Sequence, residues 1–181
     1  MSLDASKVLG PDSFTPQEAD AILEIAYLTG VANGSLSRDE LRSFRRLAHT
    51  LAEQTDRTPE GGPYRVPDTE RDSEEEPGKI IPTFLVKSDG TVAPLEELLD
   101  RYEVATTGVD TSTRLAGLAK TLTRDHARRA AYRVAYALSI SDLEINEDEE
   151  ELESDLATAL GLHEEIGALR NEVLGAVDSE S

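Results

Sequence analysis

The sequence predicts an all-α fold: two helical hairpins related by pseudo-duplication, with an irregular insertion between them. Three observations lead there. Aromatic residues make up only 4% of the chain and Trp is absent, so the core is built from Leu, Ile, Val and Ala, which suits close helix packing. Three capping boxes mark helix starts. The sequence also resembles itself at an offset of 109 residues. At 181 residues the chain is long enough for one domain with a real core.

Residues 1–14 read as an N-terminal tail, 15–177 as a single helical domain and 178–181 as a C-terminal tail. In "TPQE", Thr15 is an N-cap, Pro16 takes the first helical position and Glu18 can reach back to the cap's N–H. Ile22, Ile25, Ala26 and Thr29 then recur at helical spacing. "SRDE" repeats the device with Ser37 and Glu40, followed by Leu41, Phe44, Leu47, Ala48 and Leu51. Residues 55–79 are rich in Pro, Gly and charge, which describes an exposed, mobile loop. "TFLVKSDGTVAP" holds two β-prone runs around a Ser-Asp-Gly turn and is bracketed by Pro82 and Pro94, so any hairpin there is small and at an edge. Residues 57–94 are therefore read as a flexible insertion.

Asp110 and Thr123 are candidate caps for helices over 111–122 and 124–141. "NEDE" starts a further helix with Asn146 and Glu149, and Gly161 ends it. "HEEIGALRNEVLGAV" supplies the last amphipathic turns, with His163 as a candidate cap.

The 109-residue offset aligns Ala26-Tyr27 with Ala135-Tyr136, Val31 with Ile140, and Leu36 with Ile145. It also aligns Asp39-Glu40 with Asp148-Glu149, Leu47-Ala48 with Leu156-Ala157, and Leu51 with Leu160. Each copy is a helix, a short turn (33–37 or 142–146) and a capped helix. Packing the copies face to face buries both apolar stripes. Tyr27 and Tyr136 then read as matching core residues with their hydroxyls at the rim.

Charge narrows the function. Thirty-seven acids against 18 bases give −19 and a pI near 4.4. Such a field repels nucleic acid and anionic lipid and attracts cations or basic partners. No cysteine is present, which excludes disulfides and thiolate chemistry. No signal-like N-terminus or membrane-length apolar run is found, so a cytoplasmic protein without a transmembrane segment is expected. His49, His126 and His163 are far apart and lie in no catalytic motif, and no phosphate or dinucleotide fingerprint exists. A non-enzymatic protein is expected.

The stretch "ISDLEINEDEEELESD" holds nine carboxylates between Asp142 and Asp155 and no positive charge. Asp142, Glu144, Asn146 and Glu153 fall at positions 1, 3, 5 and 12 of an EF-hand register. Glu147, however, takes the glycine position and Glu149 an apolar one, so a true EF-hand is rejected. What remains is a looser site in which Asp142, Glu144 and Glu149 bind Ca²⁺ or Mg²⁺ weakly. The competing reading is that these acids favour a helix N-terminus and solvate its outer face. Lys120, Arg124, Arg128, Arg129 and Arg133 form a basic stripe on the preceding helices. It is expected to pair with the acidic helix across the hairpin, the alternative being a dipolar molecule that docks partners.

"AYALSISDLEINEDEEELESDLATALGL", and more loosely "AYLTGVANGSLSRDELRSFRRLAHTL", resemble the TerB-like family, named for tellurite resistance. The resemblance covers about 100 residues. It implies an all-α fold of repeated helices and a non-enzymatic role in metal-ion or tellurite stress, with acidic turn residues binding a cation. The chain departs from the family pattern at both turns: Leu143 replaces a glycine, and Asn33 and Ser35 replace two carboxylates. Two functions are thus expected: a stress-response module with a weak cation site, or a scaffold docking a basic protein through its acidic helix without metal.

Overall fold

α2, residues Pro16–Gly30, and α6, residues Asp125–Ser139, pack against each other at the centre of the molecule, and the remaining helices are arranged around them. In the computed structural model, residues 4–32, 34–55, 64–65, 80–81, 95–141 and 147–177 are described. The other elements are α1 (Ala5–Leu9), α3 (Arg38–Gln54), β1 (Tyr64–Arg65), β2 (Ile80–Ile81), α4 (Leu95–Thr106), α5 (Thr111–Thr121), α7 (Glu147–Leu160) and α8 (Ile166–Val177). The fold is all-α apart from a two-residue antiparallel pairing of β1 with β2. The hairpin expected around Ser-Asp-Gly lies outside the described residues, as does most of the 57–94 insertion.

Small side chains make the central contact possible. Ala19 and Ala26 on α2, and Ala127, Ala130, Ala131, Ala135 and Ala137 on α6, are all buried. Alanine lets two helix axes approach closely, so a core can form with few aromatics. Twelve of the fifteen α2 residues are buried, which makes it an interior helix rather than an amphipathic surface one.

Two of the three predicted capping boxes fall on described caps, and both form. Thr15 N donates to Glu18 Oε2 at 3.0 Å while Glu18 N donates to Thr15 Oγ1 at 3.1 Å. Ser37 N donates to Glu40 Oε2 at 2.7 Å while Glu40 N donates to Ser37 Oγ at 3.2 Å. Asn146 lies outside the described residues, although α7 begins immediately after it. Asp110 caps α5 through Thr113 N at 3.0 Å. Gly161, at φ 70°, ends α7 by placing Leu162 N on Ala157 O at 3.0 Å.

The 109-residue offset recurs in the elements. Adding it to Pro16, Gly30 and Arg38 gives Asp125, Ser139 and Glu147, the two ends of α6 and the start of α7. The helix ends match in detail. Val31 N donates to Tyr27 O at 3.0 Å, as Ile140 N does to Tyr136 O at 3.1 Å. Neighbours correspond as well: α1 packs on α3 and α6, whereas α5 packs on α7 and α2.

Three expectations need correction. The supposed N-terminal tail is part of the domain: Val8, Leu9 and Phe14 are wholly buried. Its carbonyls are held from two helices, by Gln54 Nε2 on Gly10 O at 2.7 Å, Arg133 Nη2 on Leu9 O at 3.1 Å and His126 Nε2 on Ser13 O at 2.9 Å. Thr123 does not cap α6. Arg124 occupies the N-cap without a side-chain cap bond, because a guanidinium has only donors and cannot accept from the helix N–H groups. His163 lies exposed in the turn before α8, too far from Ile166 to cap it.

Candidate functional site: the acidic face of α7 and its surroundings

Of the three expected metal ligands, Asp142 and Glu144 lie outside the described residues. Glu149 is described, and it points inward, with only 1% of its surface exposed. Glu40, its counterpart at the 109-residue offset, is equally buried and serves its capping box. An inward carboxylate at this position is thus what the start of such a helix produces. Among the described residues, no group of three or more His, Asp or Glu is arranged to hold a metal ion.

The outer side of the same helix differs. Glu147, Asp148, Glu150 and Glu151 are all exposed, and among the described residues none is in an ion pair. The basic stripe expected to face them pairs in other directions. Arg124 turns its guanidinium to Glu18 of α2, with Nε 3.0 Å from both carboxylate oxygens. Arg128 Nε donates to Leu122 O at 2.8 Å. Arg129 reaches Glu165 at 2.7 Å and Arg133 reaches Glu172 at 2.8 Å, both beyond the end of α7. Among the described residues, these contacts of Arg124, Arg128, Arg129 and Arg133 do not reach the carboxylates of α7.

Of these cations Arg124 alone, among the described residues, is held by a buried acid. Glu18 is 1% exposed. Burial works against its charge, yet the hydrogen bonds from Arg124 and the Thr15 N–H, with the Arg124 charge, outweigh this and hold its carboxyl below the usual range. Glu24, 4% exposed, is gripped by Arg114 of α5 through Nε at 2.5 Å and Nη2 at 2.8 Å. Asp20 accepts from Arg101 at 2.6 Å and from the Tyr102 hydroxyl at 2.7 Å, both on α4. Burial, then the Asp20 charge, pushes the Tyr102 hydroxyl far above its ordinary value.

A polar cluster in the second hairpin escaped the sequence reading. Glu153 is 8% exposed and accepts from the Tyr132 hydroxyl and from Arg170 of α8, whose Nε lies 2.9 Å from Oε1. Arg170 Nε is also 3.2 Å from the Tyr132 oxygen, and its guanidinium sits 5.4 Å from the Tyr136 ring centre. Burial, with the Glu153 hydrogen bond and charge, pushes the Tyr132 hydroxyl upward. The signal was present: the offset places Glu153 on Phe44 and Tyr132 on Leu23, two apolar positions.

The histidines do not converge. His49 lies 3.5 Å from Glu53 on the surface of α3, His126 bonds to Ser13, and His163 is exposed. No helix among the described residues is long and apolar enough to cross a membrane. No protein-family model, curated protein or solved structure matches the chain.

Proposed function

We propose that the chain is a non-enzymatic helical module of TerB-like type, built by duplication of a hairpin, that works by docking a basic protein on the exposed carboxylates of α7. The observation that carries this reading is that Glu147, Asp148, Glu150 and Glu151 face outward while the nearby arginines are committed to Glu18, Glu165 and Glu172. Four unneutralised charges on one surface steer a cationic partner and set its orientation. The resemblance of the two helix–turn–helix blocks to the TerB-like family supports a cytoplasmic role in metal-ion or tellurite stress. The test is calorimetry with a Lys/Arg-rich peptide in about 150 mM salt, where long-range attraction is screened. Replacing the four acids by Gln or Asn should weaken binding at least tenfold, and unchanged affinity refutes the docking role.

A second reading is a weak divalent-cation site at Asp142, Glu144 and Glu149. It rests on the nearness in sequence of Glu149, in the first turn of α7, to the two turn acids. Calcium should then raise the melting temperature more than sodium chloride of equal ionic strength, and the excess should vanish in Asp142→Asn/Glu144→Gln.

A further inference from the structure

The outer face of α3 carries the opposite charge to that of α7. Arg38, Arg42 and Arg46 recur every fourth residue, and all three are exposed. Adding 109 to these positions gives Glu147, Glu151 and Asp155, the same stripe on α7 with the sign reversed. Arg42 is 69% exposed and makes a 3.5 Å contact with Asp39 on its own helix, the kind of surface pair that contributes little. Glu147 and Glu151 are exposed as well, and Asp155 is half-buried and accepts from Ser112 of α5. An Arg stripe this regular on a chain of charge −19 is a local reversal of the molecule's field.

We infer that the partner of the α7 face is a second copy of this chain, which presents the Arg stripe of its α3, a conclusion resting on the docking role proposed for α7. Charge complementarity decides the occupant. Both stripes have the same helical spacing, so the exposed Glu147 and Glu151, with the half-buried Asp155 at the end, line up with the three arginines along one helix–helix line. Arg42 and Glu151 are the middle members, and they meet whether the helices run parallel or antiparallel. The contact joins two different faces and is therefore heterologous, so each copy has one donor and one acceptor face. The overall −19 opposes association at low salt. At about 150 mM salt the Debye length is roughly 8 Å, which screens that repulsion more than it screens charges in direct contact.

The experiment is sedimentation velocity of the full chain over a concentration series in about 150 mM salt. The wild type should associate as concentration rises. Arg42→Glu alone and Glu151→Arg alone should each weaken association at least tenfold. Mixing the two variants should restore it, because each then offers the face that complements the other. Circular dichroism establishes that both variants fold, as expected for exposed substitutions. A wild type that stays monomeric at high concentration, association indifferent to both substitutions, or a mixture that fails to recover each overturns the inference. The docking role of α7 is judged separately: Arg42→Glu leaves α7 intact and should still bind the basic peptide, so loss of self-association with retained peptide binding separates the two.

Discussion

Tyr132 gives its hydroxyl hydrogen to Glu153 within the contact between α6 and α7, at positions where the first hairpin has Leu23 and Phe44, both wholly buried. The second hairpin thus carries a polar pair in a place built for hydrocarbon. Arg170 completes it from α8, so one carboxylate ties three helices together.

That pair makes the first prediction. Glu153→Ala removes the acceptor for a buried hydroxyl and should cost about 2–4 kcal/mol. Tyr132→Leu/Glu153→Phe installs the side chains of the first hairpin and should cost less than about 1.5 kcal/mol, because hydrocarbon of suitable volume replaces both polar partners. Urea unfolding of the three proteins decides it. A double variant weaker than Glu153→Ala would show that the two hairpins do not share a packing scheme.

Acid should expose the role of Glu18. Its carboxyl titrates below the ordinary value of 4.5 in the folded state. The stability it contributes is therefore complete above that ordinary value and is lost as pH falls through the depressed one. Glu18→Gln cannot lose it again. The urea midpoint of the wild type should thus converge on that of Glu18→Gln between about pH 6 and pH 3. Parallel curves would contradict the assignment.

Two arginines of equal charge should differ in worth. Arg114 serves Glu24, whose side chain is 6% exposed, whereas Arg129 serves Glu165, 42% exposed. Arg114→Ala strands a buried carboxylate and should cost about 2–3 kcal/mol; Arg129→Ala should cost less than about 1 kcal/mol. Similar losses measured by chemical denaturation would mean that burial does not rank these pairs.

Gly10 is a backbone requirement. Its φ is +82°, and a Cβ there would meet Arg133 Nη2 at 3.2 Å. Gly10→Ala should destabilise by about 1–2 kcal/mol through the left-handed conformation alone. Accelerated hydrogen exchange in α1 would accompany the loss, and a neutral Gly10→Ala would remove the N-terminal segment from the cooperative unit.

Where a local mechanism acts, the sequence was sufficient. Thr15 with Glu18 and Ser37 with Glu40 fix two helix starts, because a capping box is complete within four residues. The offset of 109 then transfers those starts to α6 and α7. The α1 helix was missed because five residues with Ala5, Val8 and Leu9 to bury show no periodicity, and contact with α3, α6 and α8 keeps it folded. The helical span Leu95–Thr106, anchored by Leu98 and Tyr102, was likewise unassigned. The destinations of the arginines were not legible at all. Arg124 finds Glu18 from 106 positions away, a choice made by tertiary packing. Glu153 could have been placed, since the same offset that located the helices put it in a buried position.

The near-total burial of α2 brings a hazard of degeneracy. A central helix sheathed in hydrocarbon could turn about its own axis, or trade places with α6, with little change in the apolar surface it hides. Glu18, Asp20 and Glu24 forbid this. Each meets its arginine from a different helix: the N-cap of α6, α4 and α5. Any wrong rotation or register separates these pairs, and for Glu18 and Glu24, which are buried, a lost cation costs several kcal/mol each, whereas the half-exposed Asp20 adds less. The three acids work as a combination lock, and the molecule gains through them a single native arrangement that its apolar core alone does not specify.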